Sequence, residues 1–163
     1  MKRLLPVLMG FVLLLLSSTE GWSADFQKGV TAYNKKDYAT ALREWKPLAK
    51  QGNFSAQYLL GVMYRKGQGV PQDYKTAVKW YRLAAEQGNA TAQNNLGLMY
   101  GLGQGVIQDN VYAHMWLTIA ASSGESQNAS KNRDIVAGWM TPSQLETAQR
   151  LARECVRKKY KGC

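Results

Sequence analysis

Residues 67–73 read GQGVPQD and residues 103–109 read GQGVIQD, 36 positions apart. The loop is not alone in returning. Aligned without gaps, residues 53–88 and 89–124 share 18 of 36 letters, among them Ala56/Ala92, Leu60-Gly61/Leu96-Gly97, Tyr64/Tyr100, Asp73/Asp109, Ala77/Ala113, Trp80/Trp116, Ala84-Ala85/Ala120-Ala121 and Gly88/Gly124. Apolar members recur at spacings of three, four and seven, the period of amphipathic helices. Each unit therefore reads as helix A (about 54–65), a glycine loop, helix B (about 74–87) and a glycine stop. Gly61, Ala77 and Ala84 let the two helices approach closely, with Tyr64 and Trp80 expected beside them.

Residues 25–52 form a partial third copy. Asp37-Tyr38, Ala41, Trp45, Ala49 and Gly52 align with Asp73-Tyr74, Ala77, Tyr81, Ala85 and Gly88, but the Gly-Gln-Gly-Val loop is missing. A period in the mid-thirties with two helices per unit describes an all-α fold, a superhelical solenoid of antiparallel α/α pairs. Residues 125–163 do not repeat. Ile135, Val136, Trp139 and Met140 suggest a short helix at about 126–140. Thr141, Pro142 and Gln144 then mark a strong helix start, followed by Leu145, Ala148, Leu151, Ala152 and Cys155 on one face. This helix pair is expected to cap the array.

The order Leu-Gly-x-x-Tyr, Gly-x-Gly-Val, Asp, Ala-x-x-Trp, Ala-Ala-x-x-Gly within 36 residues resembles Sel-one-like repeats, relatives of tetratricopeptide repeats. The match is strong over 53–124 and partial over 25–52. The resemblance implies an adaptor or scaffold for other proteins, and bacterial members of the family are often exported. The pattern NRD…MTPSQLETAQRLARE is also similar to C-terminal segments of exported members. Cysteine-rich relatives are linked to β-lactam binding or hydrolysis, but the paired cysteines they carry in each repeat are absent here.

The first 24 residues fit export. Lys2 and Arg3 precede an apolar run, Leu4–Leu16, shorter than the roughly 20 residues a membrane span needs. Cleavage after Ala24 is favoured over cleavage after Gly21, because the helical pattern starts at Asp25. No stable membrane insertion is expected once the signal is removed, and the expected location is periplasmic or secreted. Removing Lys2, Arg3 and Glu20 leaves 19 basic and 10 acidic side chains over 139 residues, a net charge of +9. Residues 89–130 hold no Lys or Arg, while 150–161 hold six. Such a chain could meet an anionic envelope component; nucleic acid is a poor partner in that compartment. Both cysteines, Cys155 and Cys163, lie at the C-terminus and suggest a disulfide. Eight residues along one helix span about 12 Å, so the bridge requires the helix to end near Lys159–Gly162 and the tail to fold back.

Catalytic and cofactor signals are weak. Gln72 and Gln108 stand where a dinucleotide loop needs a third glycine, and no Gly-Lys-Ser/Thr follows. The loop is read as conformational, a hinge between helices A and B. His114 aligns with Val78 and Leu42, which marks a packed, hydrogen-bonded histidine better than a base or metal ligand. The tryptophans at repeating positions read as core. No cofactor or metal site is expected, and the chain is read as a non-enzyme, with a peptidoglycan binder or weak hydrolase as the alternative. If helix A lines the concave surface, a protein or peptide partner would meet Phe26, Val30, Tyr33 and Asn34 in copy one. It would meet Tyr58, Val62, Arg65 and Lys66 in copy two, and Asn94, Leu98 and Leu102 in copy three. Tyrosine and arginine are frequent anchors at interfaces. Oligomeric state is open.

Overall fold

The computed structural model describes residues 24–163, so the expected signal segment lies outside the described residues except for Ala24. The described residues form eight α-helices: α1 Phe26–Asn34, α2 Tyr38–Lys50, α3 Phe54–Lys66, α4 Tyr74–Ala85, α5 Ala90–Leu102, α6 Asn110–Ser122, α7 Ala129–Ala137 and α8 Pro142–Arg157. The first six pair as α1/α2, α3/α4 and α5/α6, and each pair packs on the next through α2/α3 and α4/α5. This is the all-α solenoid that the repeat demands.

Helix starts follow from short polar side chains. Asp25, Asp37, Asn53, Asp73, Asn89 and Asp109 each accept a hydrogen bond from an otherwise unpaired N–H of the first turn. Thr141 and Gln144 complete a capping box at α8. Helices α3 and α5 end on Gly67 and Gly103, whose φ of +67° and +64° glycine adopts without penalty.

The close approach of helices A and B rests on a glycine facing a large side chain. A Cβ on Gly29 would lie 2.3 Å from Trp45 Nε1, and one on Gly61 would lie 2.6 Å from the Tyr81 ring. At Gly97 the opposing side chain is Leu117 at 2.8 Å. Tyr81, not Trp80, therefore fills the space beside Gly61. Trp80 packs instead on the cluster of Ala41, Trp45, Leu60 and Met63 contributed by α2 and α3. Trp116 is buried in the cluster that joins α4 to α5 and α6. One face of helix B thus serves its own helix A, and the adjacent position serves the core shared with the preceding unit.

The C-terminal helices cap the array by both packing on α6. Helix α7 is shorter than the 126–140 expected, because Gly138 follows its last turn. Of the four apolar residues assigned to its inner face, Val136 is buried and Met140 half-buried, whereas Ile135 and Trp139 are exposed. Trp139 lies beyond the helix end, and Ile135 points about 100° away from Val136. Helix α8 buries Ala148, Ala152 and Cys155 as its pattern requires. It ends at Arg157, and positive φ at Lys159, Tyr160 and Gly162 turns the tail back. Cys155 and Cys163 come within bonding distance, with Cα atoms 5.6 Å apart. Such a pair fits an oxidising compartment. Reducing it, or replacing both cysteines by alanine, is expected to cost roughly 2–3 kcal/mol. Urea unfolding with and without reductant measures this; identical midpoints would show that the bridge contributes no stability.

Candidate functional site: the helix A face and the loops that hold it

The glycine loops do not act as simple hinges. Each reaches back to the unit before it. A Cβ on Gly69 would lie 2.7 Å from Tyr38 Cβ, and one on Gly105 would lie 2.4 Å from the backbone carbon and oxygen of Tyr74. Tyr38 and Tyr74 open helix B of the preceding unit. Gly69 and Gly105 also hold φ of +72° and +73°. The loop is therefore an inter-unit latch that needs both the missing side chain and the left-handed backbone.

The glutamines that break the dinucleotide pattern have their own task. Gln72 Nε2 donates to the Arg65 carbonyl at 2.8 Å, and Gln108 Nε2 donates to the Gly101 carbonyl at 2.9 Å. Each thereby satisfies a carbonyl in the last turn of helix A. A second repeating pair seals the joint between units. Gln57 Nε2 donates to the Ala49 carbonyl at 3.0 Å, and Gln93 Nε2 donates to the Ala85 carbonyl at 3.1 Å, with both glutamines buried. Gln93→Ala would leave a buried carbonyl unpaired, with an expected cost of about 1–3 kcal/mol in thermal or urea unfolding.

These joints fix a group of aromatic and basic side chains across units one and two. Tyr33 donates to Gln68 Oε1 at 2.7 Å, and Gln68 Nε2 donates to Tyr38 Oη at 3.0 Å. The Tyr33 ring stands edge-on to Tyr38 at 5.4 Å and lies 5.5 Å from Trp45. Arg65 Nε donates to Tyr81 Oη at 3.3 Å, and the rings of Tyr58 and Tyr81 are 6.0 Å apart. Burial pushes the Tyr81 phenol up to about 12 and raises Tyr33 as well, so both stay neutral at physiological pH. In unit three the corresponding surface is held differently: Arg82 donates to Tyr100 Oη, and Tyr100 stacks on Tyr112 at 5.4 Å.

The expected groove residues divide into three sets. Tyr58 and Arg65 are half-buried, and Asn34 and Lys66 are exposed, so they present surface at the joint of the first two units. Phe26, Val30 and Tyr33 are half-buried but lean on the core around Trp45. Val62 and Asn94 do not line a groove: both are buried, Val62 in the core shared with the next unit and Asn94 beneath α7, where it accepts from Asn132 Nδ2 at 2.9 Å. A helix inside a solenoid packs on both neighbouring units, so facing away from helix B does not mean facing solvent. Leu98 is half-buried beside Ile135, Val136 and Trp139, and Leu102 is exposed. Tyr38, Gln68 and Tyr81 join the cluster without having been expected. The Trp45/Tyr81 alignment and the repeated loop glutamine were the signals for them.

His114 is buried, and its Nδ1 lies 3.3 Å from Thr118 Oγ1. Burial lowers its pKa, with Arg133 acting in the same direction. Among the described residues no three His, Cys, Asp or Glu side chains gather as a metal site. No helix among them is long and apolar enough to cross a membrane. Outside the helix A face, a groove of ≈ 670 Å³ lies between α6 and α8, floored by Ile119, Ala152 and Val156 and edged by Arg150, Arg153 and Arg157.

Comparison with known proteins agrees with this architecture. The Sel1 repeat family matches residues 54–89 and 90–125. A protective antigen of uropathogenic Escherichia coli, described as displaying an SLR fold, superposes with a TM-score of 0.76 at 29% identity over 81% of the chain. A Sel1 repeat protein from Oxalobacter formigenes superposes with a TM-score of 0.64 at 37% identity over 67% of the chain. The chain spans 30% of the first protein and 44% of the second. Comparison with curated proteins gave no significant match. Sel1 repeats generally mediate protein–protein interaction. Residues 54–125 are thus two tandem Sel1 repeats.

Proposed function

We propose that the protein is an exported, non-catalytic interaction module that binds a protein or peptide across the helix A face where units one and two meet. The observation that carries this reading is the set formed by Tyr33, Tyr58, Arg65 and Lys66. Its aromatic and guanidinium groups are pre-positioned by Gln68 and Tyr81, yet remain partly open to solvent. Rigid, half-exposed tyrosine and arginine lose little entropy on binding, which is why they anchor interfaces. The joint between the cysteines supports an oxidising compartment, and the basic start followed by a short apolar run supports export.

Photo-crosslinking probes at Tyr58 and Arg65 are expected to capture one defined partner in the cell envelope. Equal capture by a probe at Lys75, on the exposed surface of helix B, would overturn the assignment. The arginine-edged groove between α6 and α8 favours a second reading, contact with an anionic wall polymer. That contact would appear as co-sedimentation with purified wall material, weakening steeply as salt shortens the reach of surface charges. Absence of sedimentation at low salt would remove it.

A further inference from the structure

Position 44 is where copy one departs most sharply from its repeats. The equivalent residues, Trp80 and Trp116, are indoles that pack into the core shared with the unit before. Copy one carries Glu44, a carboxylate buried to 5% exposure. Taking a carboxylate out of water is costly unless each oxygen is met by a donor or a cation. Oε1 is met by Lys28 Nζ at 2.9 Å and by Arg43 at 3.6 Å, both on side chains more than half exposed. Oε2 is met by the backbone nitrogen of Asp25 at 3.2 Å. Pairing with Lys28 and the Asp25 N–H holds the Glu44 carboxyl below the usual range.

Asp25 is the residue that follows the favoured cleavage position, and its own carboxylate caps α1 through the N–H groups of Gln27 and Lys28. We infer that export processing between Ala24 and Asp25 creates an α-ammonium group that pairs with Glu44 and fixes the start of the solenoid. The inference rests on the export reading above. Hydrolysis adds one water across the amide: Ala24 leaves as a carboxylate, and the Asp25 nitrogen gains the protons that make it an ammonium. The nitrogen already sits at hydrogen-bond distance from Oε2, so the neutral donor becomes a cation where it stands. Cleavage after Gly21 would leave three residues ahead of Asp25 and place the charge elsewhere. The pairing thus requires Ala24 as the junction and supplies a stabilisation that the precursor lacks.

The pH window follows from the groups facing one another: the new ammonium, Glu44, Lys28, Arg43 and the Asp25 carboxylate. Pairing raises the ammonium pKa, so its contribution is complete below the ordinary α-amino value of about 8 and fades as pH rises through the folded value. Glu44 is lowered, so its contribution requires pH above the ordinary 4.5 and fades as pH falls through the folded value.

The test has two arms. Intact mass of the exported protein is expected to place its first residue at Asp25. A chain retaining residues 1–24 would overturn the export reading, whereas a start at Trp22 would overturn only the present inference. The second arm uses protein released from a fusion tag so that Asp25 comes first, compared with the same protein extended by Ala24 or acetylated at the α-nitrogen. Each form is made with Glu44 and with E44Q. At pH 6 extension or acetylation is expected to lower Tm by about 3–6 °C in the Glu44 protein, to change it by less than about 1 °C with E44Q, and to matter little above pH 10. Equal losses in both backgrounds would overturn the ion pair even if the mass is as expected.

Discussion

Gly105→Ala is expected to destabilise the protein by about 4 kcal/mol, a large share of the 5–15 kcal/mol that holds a typical domain together. Two costs add. An alanine at φ +73° pays about 1–2 kcal/mol for the left-handed backbone. Its methyl would also lie 2.4 Å from the Tyr74 backbone, which cannot rotate away as a side chain can, and relieving that overlap costs about 1–3 kcal/mol. Gly124→Ala isolates the first cost, because Gly124 has φ +71° but nothing within 4 Å of a new Cβ. Thermal unfolding of both variants should show a small loss at 124 and a much larger one at 105. Similar losses would mean that the latch carries no packing role.

Trp45→Ala should cost about 3–5 kcal/mol, the range for removing a large aromatic residue from a core. Trp45 is fully buried, lies 6.2 Å from Phe26 and 5.5 Å from Tyr33, and donates from Nε1 to the Phe26 carbonyl at 3.2 Å. Its loss would open a cavity against Gly29, the residue whose missing side chain makes room for the indole. Gly29→Ala alone should also destabilise, since its methyl would meet the ring. The double variant G29A/W45A is then expected to be more stable than the sum of the two losses predicts, by at least about 1 kcal/mol. Strict additivity in urea unfolding would separate the two residues energetically and contradict the contact.

The repeat made most of the fold legible before any coordinates. Helices α3 to α6 carry caps, apolar periods and glycine stops that occur twice, so each reading is checked by its copy. Helix α7 has no copy, and its ends were misplaced because a short apolar cluster fixes a helix's existence better than its limits. The opposing residue for Gly61 was hidden for a different reason. Letter identity pointed to Trp80/Trp116, but the side chain that meets the glycine occupies positions 45, 81 and 117, where the letters are Trp, Tyr and Leu. Identity between copies marked the contact between units, while the contact within a unit tolerated change. The site was legible only in part. Counting around the helix suffices to leave Tyr58 and Arg65 partly open to solvent, but burial of Val62 and Asn94 depends on the next unit and on α7, which no single-helix count contains.

The latch has a consequence for how such chains can change length. Each loop grips the helix of the unit before it, so a segment of 36 residues inserted or removed in register carries one complete grip with it. Both new neighbours then meet the surfaces they were shaped for. An insertion that shifts a loop glycine off the helix start it meets would leave a glycine facing solvent or a side chain facing a backbone. An array built on such joints can lengthen its surface in steps of one whole period without a new kind of joint.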